Sequence, residues 1–176
     1  MDITLGLTCR PIRVVFELYA NLCPKTCENF RALCVGSNGK SAEGVRLTYR
    51  GSLFHRVVQD GWVQGGDIVS GAGDGGVSIY GDTFADETFT VKFDEPGVLA
   101  MANNGPHTNA SQFFITLAEQ PWMNHRAVGF GRVIKGMQVL HQMSEMDTLN
   151  QRPLVECKIA KAGELSAEDF ATVECK

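Results

Sequence analysis

Arg56 and Gln64 are the side chains whose types and setting best suit chemistry on a polar group. A guanidinium keeps its charge at any physiological pH and offers five donors in a rigid fork, while a Gln amide adds one donor group and one acceptor. Both lie in apolar runs that read as strands, 53–58 and 61–69, with Gly65-Gly66 inside the second marking a bulge or a close backbone approach. Strand alternation puts Phe54 with Arg56 on one face, and Trp62 with Gln64 on one face. Polar and apolar groups therefore alternate along a presumed groove. Such a set can donate hydrogen bonds to a substrate and shield it from water without moving a proton or forming a covalent bond.

Other chemistries find little support. There is no G-x-S-x-G elbow, and Ser111 has no His nearby in a recognisable pattern. The glycines at 65–76 lack the phosphate cradle G-x-x-x-x-G-K-[ST]. His55, His107, His125 and His141 are scattered without ligand spacing, and the six cysteines form no C-x-x-C pair, so they read as thiols and not as a metal or redox site. A formal charge of -4 with no Lys/Arg-rich block gives no footprint for nucleic acid or an anionic membrane. The first residues lack the apolar stretch of a secretory signal, which makes a cytoplasmic location the expectation.

The elements that must position these side chains are mostly strands. The segment 12–19 alternates apolar and polar residues, and further strands are predicted at 97–102, 112–117, 127–134 and 154–160. Pro24 suits a first helical turn, and Cys27, Phe30, Leu33 and Cys34 share a helical face, which predicts a helix over 24–34. Met137, Leu140 and Met143 predict a second over 136–145, while 37–51 and 70–87 read as loops. Many short strands with two helices and no strand–helix alternation predict a mainly β fold: a closed eight-stranded antiparallel barrel capped by the helices. A barrel of that size is filled by its own side chains, so the site is expected on its outside and in its loops.

Two segments carry a resemblance: Phe54-His55-Arg56 followed by Gln64-Gly65-Gly66-Asp67, and the run from Met101 to Ile115, MANNGPHTNASQFFI. With CPKTCENFRALC, SIYGDTFADE, Pro121-Trp122-Met123 and VGFGRVIKGM in order around them, the chain resembles the cyclophilin-type peptidyl-prolyl cis/trans isomerases from about Asp2 to Leu165. CPKTCENFRALC, the loop at 37–50 and VVQDGWVQGGDIV are similar to the subgroup named peptidyl-prolyl isomerase-like six. The resemblance implies an isomerase domain over 1–165 with a tail at 166–176, acting on X-Pro bonds without a cofactor. It implies catalytic roles for Arg56, Gln64 and Phe114, and substrate contacts for Trp62, Ala102, Asn103, Gln112, Trp122 and Met123. Its partners would be proline-containing peptides and proteins, and cyclosporin, whose complexes use the indole matching Trp122. Asp74, Asp82, Thr83 and Asn104 would gate a neighbouring pocket.

That chemistry fits the residues. Amide rotation crosses a barrier near 18–20 kcal/mol, and the two X-Pro isomers differ by only about 0.5–1 kcal/mol, so an enzyme must act on the barrier. Donors such as Arg56 can do so by stabilising the twisted amide. Three positions depart from the family's pattern: Gly61 where an aromatic is common, Trp62 where methionine is common, and Ala127 where histidine or tyrosine is. Trp62 is expected to supply the floor that Gly61 lacks, and Ala127 to widen the slot and weaken cyclosporin binding. The alternative function is a non-catalytic domain that binds prolyl segments or acts as a scaffold.

Overall fold

A computed structural model describes residues 1–6, 10–36, 39–166 and 169. Its strands are β1 (Asp2–Leu5), β2 (Ile12–Arg13), β3 (Val15–Leu18), β4 (Phe54–Val58), β5 (Trp62–Gly65), β6 (Val98–Met101), β7 (Phe113–Thr116), β8 (Gly129–Lys135), β9 (Thr148–Leu149), β10 (Arg152–Pro153) and β11 (Cys157–Lys161). The helices are α1 (Pro24–Val35) and α2 (Met137–Ser144), with a single 3-10 turn at Pro121–Met123. The predicted helices and most strands stand within a few residues of their expected bounds; β1, β9 and β10 were not anticipated.

The helix α1 starts on Pro24, whose missing N–H costs nothing there. No residue of its own caps it. Glu87, from the long loop after β5, accepts hydrogen bonds from Lys25 N, Thr26 N and Thr26 Oγ1 at 2.7–3.0 Å. Gly36 ends it at φ +72°, a left-handed position that glycine takes without a Cβ penalty. Phe30 on its buried face meets the rings of Phe16, Tyr49, Phe113 and Phe130 at centroid distances of 5.3–5.8 Å. Losing such a ring costs on the order of 3–5 kcal/mol.

The expected closed eight-stranded barrel is not what forms. Six strands make one open antiparallel sheet in the order β3-β8-β6-β7-β5-β4, and a separate three-stranded sheet runs β11-β1-β2. The chain changes sheets at Val14. Its N–H bonds Met1 O at 2.8 Å and its carbonyl accepts from the Met1 amine at 2.7 Å, so the predicted strand 12–19 divides into β2 on one sheet and β3 on the other. At the opposite margin one isolated bridge, Leu53 with Lys158, joins the edges. Register shifts at Val15/Phe16 and Phe54/Arg56 bend the two edge strands of the large sheet, as bulges do, and no continuous ladder closes it.

What matters for the site is that the large sheet has two distinct faces. Val57 pairs with Val63, Val63 with Ile115, and Ile115 with Leu99; this row is buried in the main core with Phe113, Leu33 and Tyr49. One residue along each strand the parity reverses. Arg56 pairs with Gln64, Gln64 with Phe114, and Phe114 with Ala100, so a second row crosses four strands on the other face.

Four described cysteines, Cys23, Cys27, Cys34 and Cys157, are free and buried. Burial pushes the thiols of Cys23 and Cys157 up to about 11 and those of Cys27 and Cys34 to about 12, which keeps them protonated and unreactive. Cys9, Cys175, the start of the 37–50 loop and the predicted tail, apart from Ser166 and Asp169, lie outside the described residues. Among the described residues no helix is long and apolar enough to cross a membrane.

Candidate functional site

The second row opens onto a groove of about 1010 Å³. All nine side chains singled out in the sequence line it: Arg56, Trp62, Gln64, Ala102, Asn103, Gln112, Phe114, Trp122 and Met123. Asp74, Thr83 and Asn104 also line it, while Asp82 is not among the lining residues. His55, Arg126, Leu149, Asn150 and Arg152 also line it and were missed, because they come from a loop, from the unanticipated β9–β10 hairpin or from a strand parity with no chemical signature of its own.

One side of the groove is a directed chain of hydrogen bonds. Trp62 Nε1 donates to Gln64 Oε1 at 3.4 Å, Gln64 Nε2 donates to Gln112 Oε1 at 3.0 Å, and Gln112 Nε2 donates to the carbonyls of Gly73 and Gly75 at 3.0 and 2.6 Å. The two amides are thereby oriented before any ligand arrives. Their anchor, the 69–76 loop, folds around Asp67. Its carboxylate accepts from the N–H groups of Val69, Ser70, Gly73 and Gly75 and from Ser70 Oγ at 2.8–3.2 Å. Burial would raise the Asp67 pKa, but these hydrogen bonds, led by Gly73 N–H, outweigh it and hold the carboxyl well below its ordinary value.

His55 sits behind this wall, buried, with its Nδ1 unpartnered among the described residues. Burial pushes its pKa below the usual imidazole value, so the ring is neutral at pH 7. It acts as packing under Gly73, where an added Cβ would lie 2.9 Å from His55 Nε2.

The apolar side is a small core of its own: Phe93, Val98, Ala100, Phe114, Met123 and Ala127, with Trp62, Val91 and Ala102 packed against it. Phe114 stacks on Phe93 at 5.9 Å with the planes 21° apart, and Trp62 meets it edge-on at 6.3 Å. Phe114 and Met123 are each only 5% exposed and Ala127 6%. Trp62 is half-buried, lies 6.0 Å from the Trp122 ring, and carries the Arg56 guanidinium 5.2 Å from its centroid. Trp62 thus packs against the buried Phe114 from the face it shares with Gln64.

At the far rim Trp122 is 54% exposed, with its indole N–H given to Gln120 Oε1 at 2.9 Å. Asn103 is tied through Nδ2 to Arg126 O and through Oδ1 to Gly105 N, and Ala102 N–H bonds Gln112 O. Arg56 is exposed, its Nε bonded to Gln151 Oε1 at 2.7 Å. No group of metal-ligating side chains is found among the described residues.

A family model described as cyclophilin type peptidyl-prolyl cis-trans isomerase/CLD matches residues 4–164. The chain belongs to that family. Three curated relatives, from Bos taurus, Homo sapiens and Mus musculus, each bear the name "Probable inactive peptidyl-prolyl cis-trans isomerase-like 6". This cyclophilin domain is 52% identical to the bovine protein over 168 residues, 53% to the human over 152 and 52% to the mouse over 166. These matches cover 95%, 86% and 94% of the chain but 54%, 49% and 52% of the relatives, so the chain spans about half the length of the curated relatives it matches. The subgroup similarity seen in the sequence is thus the one the relatives carry.

Proposed function

We propose that the groove binds extended segments carrying an X-Pro bond, and that it rotates this bond slowly because Trp62 covers the slot from which Arg56 would act. The observation carrying this reading is the placement of Phe114: it lies between Phe93 and Trp62 with 5% of its surface open, while the polar wall of Gln64 and Gln112 faces the groove. A proline ring needs an apolar surface to exclude water from the twisting amide. Here it would rest on the indole of Trp62, or displace it. Arg56, whose bond to Gln151 uses Nε, is the donor to the rotating carbonyl through its terminal nitrogens, and Gln64 orients the segment beside it.

Backbone groups near Ala102 and Asn103 pair with the residue before proline, with Trp122 and Met123 bounding the far end. Cyclosporin, which would use the same wall, binds more weakly here than to a family member with a full slot, since Ala127 removes one apolar wall and Trp122 N–H must also leave Gln120 Oε1. The test is an isotope-labelled titration with a short Ala-Pro peptide. Shifts at Trp62 Nε1 and the Gln64 and Gln112 side-chain amides support the reading; a peptide that perturbs none of them removes it.

A second reading, binding without turnover, is favoured by the relatives' name, "Probable inactive". The two readings part on the variant Trp62→Met. An uncovered slot restores turnover in the first and leaves it absent in the second.

A further inference from the structure

The hairpin formed by β9 and β10 turns through two residues, Asn150 and Gln151, with Leu149 paired to Arg152. Both turn residues have positive φ, +51° and +66°. A turn of this kind suits Asn at its first position and Gly at its second, because only glycine adopts the left-handed region without a Cβ penalty. Gln at the second position is strained, and strain at a single residue persists only where its surroundings over-determine it.

The surroundings of Gln151 do so from two directions. Its carbonyl accepts from Val57 N–H at 2.7 Å, fastening the turn to β4. Its side-chain Oε1 accepts from Arg56 Nε at 2.7 Å, one residue away on the same strand. A glycine would keep the first bond and lose the other, so the backbone docking does not account for the side chain. Arg152 pins the other arm of the hairpin, donating from Nη1 to Ala72 O and from Nη2 to Gly71 O, each at 3.2 Å. The turn is thus a fixed platform from which the Gln151 amide meets the guanidinium.

We propose that Gln151 is a positioning residue for Arg56: it holds Nε and so aims the two terminal nitrogens of the guanidinium over Trp62 and into the groove. An arginine side chain has several rotatable bonds, and fixing its Nε removes much of the freedom it would otherwise lose on meeting a ligand. The proposal deepens the reading of the groove given above and rests on it for its consequence, but the tether itself is a property of the free protein.

The experiment reads the Arg56 Nε–Hε signal by NMR in the absence of peptide, in wild type, Gln151→Gly and Gln151→Met. Glycine removes both strain and acceptor; methionine removes the acceptor and keeps the strain. Solvent exchange of Arg56 Hε is expected to quicken about five- to tenfold in both variants, the loss of one net hydrogen bond. The melting temperature is expected to rise by roughly 2–4 °C in Gln151→Gly only, as strain is released. Gln151→Glu, which keeps an acceptor, is expected to restore slow exchange. An Hε signal unchanged in both the Gly and Met variants would overturn the proposal, as would fast exchange that Gln151→Glu fails to slow. Neither result depends on peptide binding, so a groove that failed to bind an Ala-Pro peptide would leave the tether standing and strike only the functional reading.

Discussion

The Arg56 guanidinium lies over the Trp62 indole, with Cζ 5.2 Å from the ring centroid. The donor expected to do the chemistry and the residue that departs most from the family's pattern are therefore one contact, a cation–π pair of the kind worth about 0.5–1 kcal/mol at an exposed site. Trp62 also holds Gln64 through its N–H and meets the Phe114 ring edge-on. Replacing it changes the polar wall and the apolar slot together.

Trp62→Met should leave the fold intact at a cost of about 1 kcal/mol, since the side chain is half-buried and methionine refills irregular space. The indole fluorescence that remains then comes from Trp122 alone. Wild type should respond to a prolyl peptide through both indoles, and Trp122→Phe should keep a response. A signal that vanishes in Trp122→Phe would mean that Trp62 does not meet the ligand.

Cyclosporin affinity should be roughly ten- to a hundredfold below that of a family member with a full slot, the equivalent of losing one apolar wall at about 1–3 kcal/mol. Calorimetric titration measures it. Ala127→His adds bulk at a position 6% exposed beside Phe114 and Met123, and should tighten binding if the slot is open there. No change would mean that Trp62 already closes it.

How far the sequence carried can be read from the row Arg56, Gln64, Phe114 and Ala100. Strand parity alone placed Trp62 with Gln64, and the hydrogen bond between them bears that out. Whether the sheet closes was not legible, because closure depends on how edges meet. Val14 bonding Met1, and Leu53 meeting Lys158 through one bridge, leave no periodic trace in the sequence. Gln151 was equally invisible: Asn150-Gln151 without a glycine is a weak hairpin signal, and only the folded chain brings the Gln151 side chain onto Arg56.

Acid should loosen the groove before it unfolds the core. Asp67 has a folded pKa below its unfolded value near 3.9, so its contribution to stability is complete above that pH and is lost as the pH falls through the folded pKa. Denaturant unfolding should therefore show stability that is flat in this contribution from pH 7 to 5 and falls below about 4. Asp67→Asn should remove that share of the acid sensitivity and leave the Gln112 side-chain amide broadened, because the Gly73 and Gly75 carbonyls lose their fixed positions. An acid profile identical in the variant would contradict it.

Gly66 has φ +84°, and an added Cβ would lie 2.6 Å from Ser111 O and 2.8 Å from a ring carbon of Phe113. Gly66→Ala should cost about 2–3 kcal/mol through strain and overpacking against a rigid neighbour. Chemical denaturation measures it; a loss under about 0.5 kcal/mol, the range of an ordinary surface substitution, would mean that the backbone between Gly65 and Asp67 shifts freely.

The most direct measurement is exchange spectroscopy on a short Ala-Pro peptide with wild type, Trp62→Met and the double variant Arg56→Ala/Trp62→Met. The account predicts weak cis/trans exchange with wild type, exchange at least about tenfold faster with Trp62→Met as about 1.4 kcal/mol leaves the barrier, and loss of that gain in the double variant while both proteins stay folded. A Trp62→Met rate no higher than wild type, or a gain that survives removal of Arg56, would contradict it.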